Sequence, residues 1–219
     1  MGKFSYHVFE GGWLGLLGRV QVGSVSRPDE LPPLPTIQVR QVHGVDLLDL
    51  DATQANDLAQ VEADGLHTTA VQLLLVVRTA DCLPLYLSDG RRIALIHAGW
   101  RGCRGGIIQR AVALFPQPRR LLAVLGPSIS QAHYEVDEDL YGDWLQDDPS
   151  LAAQLSPAVP GSTRRHLDLG GFATATLLRL GLRPDHCFRV PLCTFRDGLP
   201  SYRRDRTDLR LYNFLLKMG

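Results

Sequence analysis

The stretch Thr79-Ala80-Asp81-Cys82-Leu83-Pro84-Leu85-Tyr86-Leu87-Ser88-Asp89-Gly90-Arg91-Arg92-Ile93-Ala94-Leu95-Ile96-His97-Ala98-Gly99-Trp100-Arg101-Gly102 decides the fold. Two apolar runs, 85–87 and 93–96, flank Ser88-Asp89-Gly90. Asp-Gly supplies the positive-φ geometry of a tight turn, so the stretch reads as a β-hairpin. A hairpin returns its outer ends to one place. Cys82 and His97, fifteen positions apart in the chain, lie at those ends. His43, in Arg40-Gln41-Val42-His43-Gly44, is a third candidate ligand. A His/Cys/His set suits zinc or copper, and three protein ligands leave one coordination position open, as in catalytic zinc sites. A buried cysteine and a strand-end histidine are also ordinary core residues, so spacing alone leaves both readings open.

Outward from the hairpin, the apolar run 71–77 predicts a strand buried on both faces. Further strands are expected over 4–9, 20–25, 37–42, 45–50, 120–125 and 188–192, with 211–216 a strand or short helix. Gly11, Gly12, Gly15 and Gly18 are expected to break any long element near the start. Residues 51–61 read as a loop or short helix. A helix is expected over 101–115, because Ile107, Ile108, Ala111, Val112 and Phe115 share a face at helical spacing. Its glycine-rich start admits two readings, close packing or backbone N–H groups open to an anion. Helices over 137–145 and 169–180 follow, with Asp137 and Asp168 as N-caps and Gly181 and Pro184 ending the second. Residues 147–165 and 203–210 read as loops. No Gly-x-Gly-x-x-Gly follows a strand and no P-loop is present, which points away from Rossmann and NTPase folds. The expectation is an α+β protein of one domain, residues 1–219.

Composition narrows the function. Twenty-three Lys and Arg balance twenty-three Asp and Glu, which argues against broad electrostatic binding of nucleic acid. Cys82, Cys103, Cys187 and Cys193 form no C-x-x-C pair, so a reducing compartment is the simpler reading. No run approaches the ~20 apolar residues that span a bilayer, and no signal-peptide pattern stands at the start. A soluble, cytoplasmic protein is expected, with neither nucleic acid nor membrane as partner.

The wording of the motifs carries a resemblance. Gln41-Val42-His43-Gly44, Ala80-Asp81-Cys82-Leu83-Pro84 and His97-Ala98-Gly99-Trp100-Arg101-Gly102 are joined, in order, by Leu125-Gly126-Pro127-Ser128-Ile129, Tyr134-Glu135-Val136, Leu167-Asp168-Leu169, Cys193-Thr194 and Ser201-Tyr202-Arg203-Arg204. This set resembles the laccase-domain family, first described as multicopper polyphenol oxidases and now as purine nucleoside phosphorylases. Ala63-Asp64-Gly65-Leu66 matches a family stretch before a central strand.

The resemblance implies mixed β-sheets packed between helices, and His43, Cys82 and His97 as metal ligands. It implies a zinc-dependent phosphorylase that cleaves adenosine, inosine, guanosine and methylthioadenosine with phosphate, giving free base and ribose 1-phosphate, and that also deaminates adenosine. Zinc is the expected ion, with copper the alternative. Zinc lowers the pKa of water and so suits attack at C6 of adenine with loss of ammonia. Phosphorolysis needs an anion site, for which Arg101 is the first candidate. Asp81, next to Cys82, is a candidate acid/base or orienting group. Gln41, two residues before His43, would share its face in a strand. Cys103 reads as a packing residue and Cys193 as a buried neighbour of the site.

The family's longer N-terminal stretch, with its Leu-Asn-Leu-Gly-like sequence and Asn-Arg pair, has no clear counterpart in residues 1–36. Arg19, Arg27 and Arg40 are the candidates to replace its anion contact. The rival readings are a copper polyphenol oxidase, a metal-stabilised binding protein without activity, and a cysteine hydrolase using Cys82. Seven histidines and no His-x-His pair argue against multicopper chemistry.

Overall fold

The computed structural model describes residues 4–53, 57–157 and 160–219. Its strands are β1 (Phe4–Phe9), β2 (Gly12–Leu17), β3 (Val20–Val25), β4 (Thr36–Ile37), β5 (Leu47–Asp49), β6 (Gly65–Thr68), β7 (Leu74–Thr79), β8 (Leu83–Ser88), β9 (Ile93–Ala98), β10 (Leu122–Leu125), β11 (Glu135–Val136), β12 (Arg165–His166), β13 (Cys187–Arg189) and β14 (Leu211–Lys217). The helices are α1 (Trp100–Arg104), α2 (Ile107–Ala113), α3 (Glu138–Asp147), α4 (Leu169–Arg179) and α5 (Tyr202–Asp205). One sheet has the order β1-β2-β3-β14-β7-β4 and the other β13-β10-β8-β9-β6-β5. Both are mixed: β4 runs parallel to β7, β5 to β6 and β13 to β10. The fold is α+β, as expected.

Strand β7 explains the layers. Its run Leu74-Leu75-Val76-Val77 is buried throughout. Leu75 and Val77 face the second sheet, among Trp13, Val22, Leu66, Tyr86, Leu95 and Val124. Leu74 and Val76 face outward under Leu31 and Leu34 of the proline-rich loop. The far face of the second sheet (Leu83, Leu85, Leu87, Ala94, Ile96) packs under Cys103, Ile107, Ile108, Val112 and Phe172 of the helices. Burial of each such side chain contributes roughly 1.5–3 kcal/mol relative to exposure.

Several elements differ from expectation for identifiable reasons. The 101–115 helix is two helices, because Gly106 takes φ 89° and ends the first. Gly102 and Gly105 serve close packing: a Cβ would lie 2.9 Å from the Gly44 carbonyl at the first and 2.7 Å from Val45 at the second. The N-terminal glycines do not break β2. Gly11 and Gly18, at φ 80° and 64°, turn the chain on either side of it. Residues 38–42 do not continue β4; a single bridge joins Arg40 to Glu62. Asp168 caps α4 by accepting the Gly171 N–H at 2.8 Å, whereas Asp137 at the start of α3 accepts from Arg164 instead. Residues 203–210 begin inside α5 rather than as free loop, with Ser201 as its cap. Within 51–61 the described part holds a 3-10 turn, Leu58–Gln60, and residues 54–56 lie outside it. Within 147–165, Pro149–Gln154 is a 3-10 turn and residues 158–159 lie outside the description.

A buried polar knot joins the two sheets. Trp13 Nε1 donates to Ser24 Oγ at 2.9 Å, and Ser24 donates to Asn213 Oδ1 at 2.6 Å. Tyr86, from the second sheet, donates to the Gly23 carbonyl at 3.0 Å and packs edge-on to Trp13. Asn213 Nδ2 bonds the Val77 carbonyl and Thr79 Oγ1. Replacing Asn213 strands these buried groups together. Asn213→Leu is expected to cost about 2–4 kcal/mol, read as a lowered urea midpoint at constant slope. Tyr86→Phe, which removes one hydroxyl, should cost about 1 kcal/mol.

Candidate metal centre

The β8–β9 ladder sets Pro84 opposite His97 and Leu83 opposite Ala98. Cys82, one residue before β8, therefore lies against the end of β9. His43 arrives from a separate loop and takes φ 61°, uncommon for a side-chain-bearing residue. One donor atom from each of His43, Cys82 and His97 lies within 4.8 Å of the others. The two imidazoles meet edge-to-face at 4.7 Å.

A residue that no motif singled out as functional holds this arrangement together. Asp64 is fully buried just before β6. Its carboxylate accepts three successive backbone N–H groups, from Val42 (3.2 Å), His43 (3.0 Å) and Gly44 (2.6 Å). It also binds His97 Nδ1 at 2.7 Å. The end of the 38–42 stretch is thereby held outside the sheet: the Val42 N–H, with those of His43 and Gly44, turns to a carboxylate instead of a strand. With Nδ1 held by Asp64, His97 presents Nε2 to the centre.

The residues fit a metal ion. A thiol and two imidazoles are the soft and borderline donors that zinc takes. Gly99 leaves the cradle open: a Cβ there would lie 3.1 Å from Cys82 Sγ, 3.4 Å from His43 Cδ2 and 3.8 Å from His97 Nε2. Electrostatics agree. Burial pushes the Cys82 thiol up, but the two histidines prevail and hold it at about 6. Burial pushes His97 down, yet the Cys82 thiolate and Asp64 raise it to about 9. Burial also raises Asp64, but its bonds to His97 and the loop N–H groups prevail and lower it. A lowered carboxylate contributes stability above its unfolded pKa, and that stability is lost as the pH falls through the folded value. Cys103, whose thiol burial pushes far up, is a core residue of α1.

The other expected residues line an adjoining cavity of about 700 Å³. Asp81 sits at φ 85° with both oxygens engaged, by Thr194 Oγ1 at 2.6 Å and the Arg203 N–H at 2.7 Å. It thereby ties the Cys82 loop to two distant segments. Gln41 is not on a strand facing the site. Its amide clamps Arg78, donating to the carbonyl at 2.8 Å and accepting the N–H at 2.7 Å. Arg101 is exposed and lies over the Trp100 ring at 4.6 Å. Arg78, Arg203, Arg206 and Arg210 also line the cavity. Arg19, Arg27 and Arg40 do not; Arg27 pairs with Glu30 and Arg40 with Glu62. Arg204 braces the carbonyls of Thr194, Phe195 and Leu199. Cys193 is buried and accepts the Ser130 N–H at 3.3 Å. No helix among the described residues is long and apolar enough to cross a membrane.

An α+β sandwich with a candidate three-donor metal pocket at a hairpin end is the class that these features define. Residues 24–215 match the family model of the multi-copper polyphenol oxidoreductase laccases, and the chain belongs to that family. It is 38% identical over 190 residues to a purine nucleoside phosphorylase of Xylella fastidiosa strain 9a5c, covering 83% of this chain and 72% of that protein. It is 30% identical over 190 residues to the purine nucleoside phosphorylase YfiH of Shigella flexneri, covering 84% and 74%. The crystal structure of Neisseria meningitidis protein NMB0706 shares the fold, with a TM-score of 0.81, 24% identity and 99% coverage of both chains.

Two outcomes follow from the geometry. Asp64→Ala leaves the loop N–H groups and His97 without their buried acceptor and should cost about 3–5 kcal/mol, measured by urea unfolding of the metal-free protein. In metal-free protein, alkylation of Cys82 by iodoacetamide should rise with pH through about 6 and level off near neutrality, while Cys103 stays unmodified. Peptide mapping after timed labelling reads both.

Proposed function

We propose that this chain is a purine nucleoside phosphorylase whose centre is His43, Cys82 and His97, with zinc as the resident ion and adenosine deamination as a second activity. The observation that carries the reading is the convergence of the buried His97, the half-buried Cys82 and the exposed His43 at one end of an arginine-lined cavity. The names of the relatives support the same chemistry. Zinc, when bound, supplies Lewis acidity without redox chemistry.

The chain's own residues do the rest. Phosphate enters as an anion, and the Arg101 guanidinium, supported on Trp100, binds it. A phosphate oxygen forms a bond to C1′ of the ribose as the C1′–N9 bond breaks. The electron pair leaves with the purine, which then takes a proton. Positive charge around the cavity favours both the entering phosphate and the departing anion. Asp81 and Gln41 act by position: one anchors the Cys82 loop to Arg203, the other locks the His43 loop to the end of β7. In deamination, water adds at C6 of adenine and ammonia leaves from the same carbon. Adenosine, inosine, guanosine and methylthioadenosine are the proposed nucleosides, and the cytoplasm the proposed compartment.

Only one cluster of three or more candidate ligands occurs among the described residues, which opposes a multicopper reading. The test is product analysis with inosine and adenosine, each with and without phosphate. Hypoxanthine and ribose 1-phosphate should form from inosine only with phosphate. His97→Ala should lower kcat by about a hundredfold or more, and Arg101→Ala should raise the KM for phosphate about tenfold. Absence of turnover of any of the four nucleosides by metal-loaded protein would refute the proposal.

A further inference from the structure

The cavity holds more fixed positive charge than one phosphate requires. Five arginines line it against two carboxylates, Asp81 and Asp208. Asp81 is spent on Thr194 and the Arg203 backbone. Asp208 approaches only Arg210, at 4.0 Å. The guanidinium groups of Arg78, Arg101 and Arg206 have no carboxylate partner among the described residues. Rings support two of them instead: Arg101 lies over Trp100 at 4.6 Å and Arg206 over Tyr202 at 5.3 Å. A ring face holds a guanidinium in place without neutralising it.

The arginines come from three segments of the chain: α1, the end of β7, and the stretch from α5 to the start of β14. Arg101, on α1, and Arg203, whose N–H binds Asp81 and whose Nη1 binds the Glu135 carbonyl at 2.7 Å, stand on the Cys82 side. Arg78 and Arg210 stand at paired strand ends, since Arg78 is opposite Tyr212 and Thr79 opposite Leu211 in the β7–β14 ladder. Arg206, at φ 52°, closes α5 on the way into β14. Gln41 fixes the Arg78 backbone on both sides.

We propose that Arg78, Arg206 and Arg210 form a distinct anion subsite and that the cavity takes purine nucleoside 5′-monophosphates as well as nucleosides. The proposal rests on the phosphorylase reading and extends its substrate class. Inorganic phosphate sits at Arg101 and the 5′-phosphate ester at Arg78, Arg206 and Arg210. The reaction keeps the same balance. A phosphate oxygen bonds C1′, the C1′–N9 bond breaks, and the base leaves with the electron pair and is protonated. The sugar product carries phosphate at both C1 and C5.

Calorimetric titration of the metal-loaded protein with inosine and with inosine 5′-monophosphate tests this. The monophosphate should bind about tenfold more tightly than inosine at low salt, with an advantage that shrinks as ionic strength rises. Saturating inorganic phosphate should leave its binding in place. In Arg78→Gln/Arg206→Gln the ratio of the two affinities should fall towards one, with the circular dichroism of the wild type retained. Equal affinities in the wild type, displacement of the monophosphate by inorganic phosphate, or a ratio unchanged in the double variant would overturn the proposal. If inosine is still bound and cleaved with phosphate, the phosphorylase reading survives that failure. If neither ligand binds, both readings fall.

Discussion

One carboxylate organises this molecule's functional end. Asp64 is fully buried and accepts from three consecutive N–H groups and one imidazole. A buried charge with fewer partners would be costly. Here the partners come from the His43 loop and from β9, so the group that needs them also fixes the distance between two candidate ligands. The loop's left-handed turn at His43 is the conformation that aims those N–H groups at one point. The three candidate ligands are therefore brought together by the fold itself, with no ion needed to gather them.

The layered core supplies the rigidity that this requires. β8 and β9 are buried along their whole length, between the other sheet and the helices. The knot of Trp13, Ser24, Tyr86 and Asn213 fixes the two sheets against each other across that core. The site then opens where the strand ends, α1 and the segment around α5 meet. Residues at that rim present arginines to the cavity, with the buried strands β8 and β9 behind them.

Much of this was legible in the sequence, and the misses have physical causes. The hairpin was readable because a turn dipeptide and two apolar runs are local signals, and they alone bring Cys82 to His97. The double-sided burial of β7 followed from its unbroken apolar run. By contrast, the break between α1 and α2 needs the positive φ of Gly106, which an apolar periodicity running through it conceals. Gln41 looked like a strand residue, yet its side chain replaces a backbone partner for Arg78. Asp64 belonged to a recognised stretch, but nothing local marks an aspartate as the acceptor for a loop twenty residues earlier. Arg78 and Arg210 were equally hidden, since only the β7–β14 pairing brings them to one end of the sheet.

The most direct measurement of the account is metal analysis of the purified protein together with X-ray absorption at the metal edge. The account predicts one zinc per chain, with one sulfur neighbour at about 2.3 Å and two imidazole nitrogens at about 2.0–2.1 Å, and loss of the sulfur shell in Cys82→Ser. A protein that binds no metal, or one whose metal has no sulfur neighbour, would contradict it.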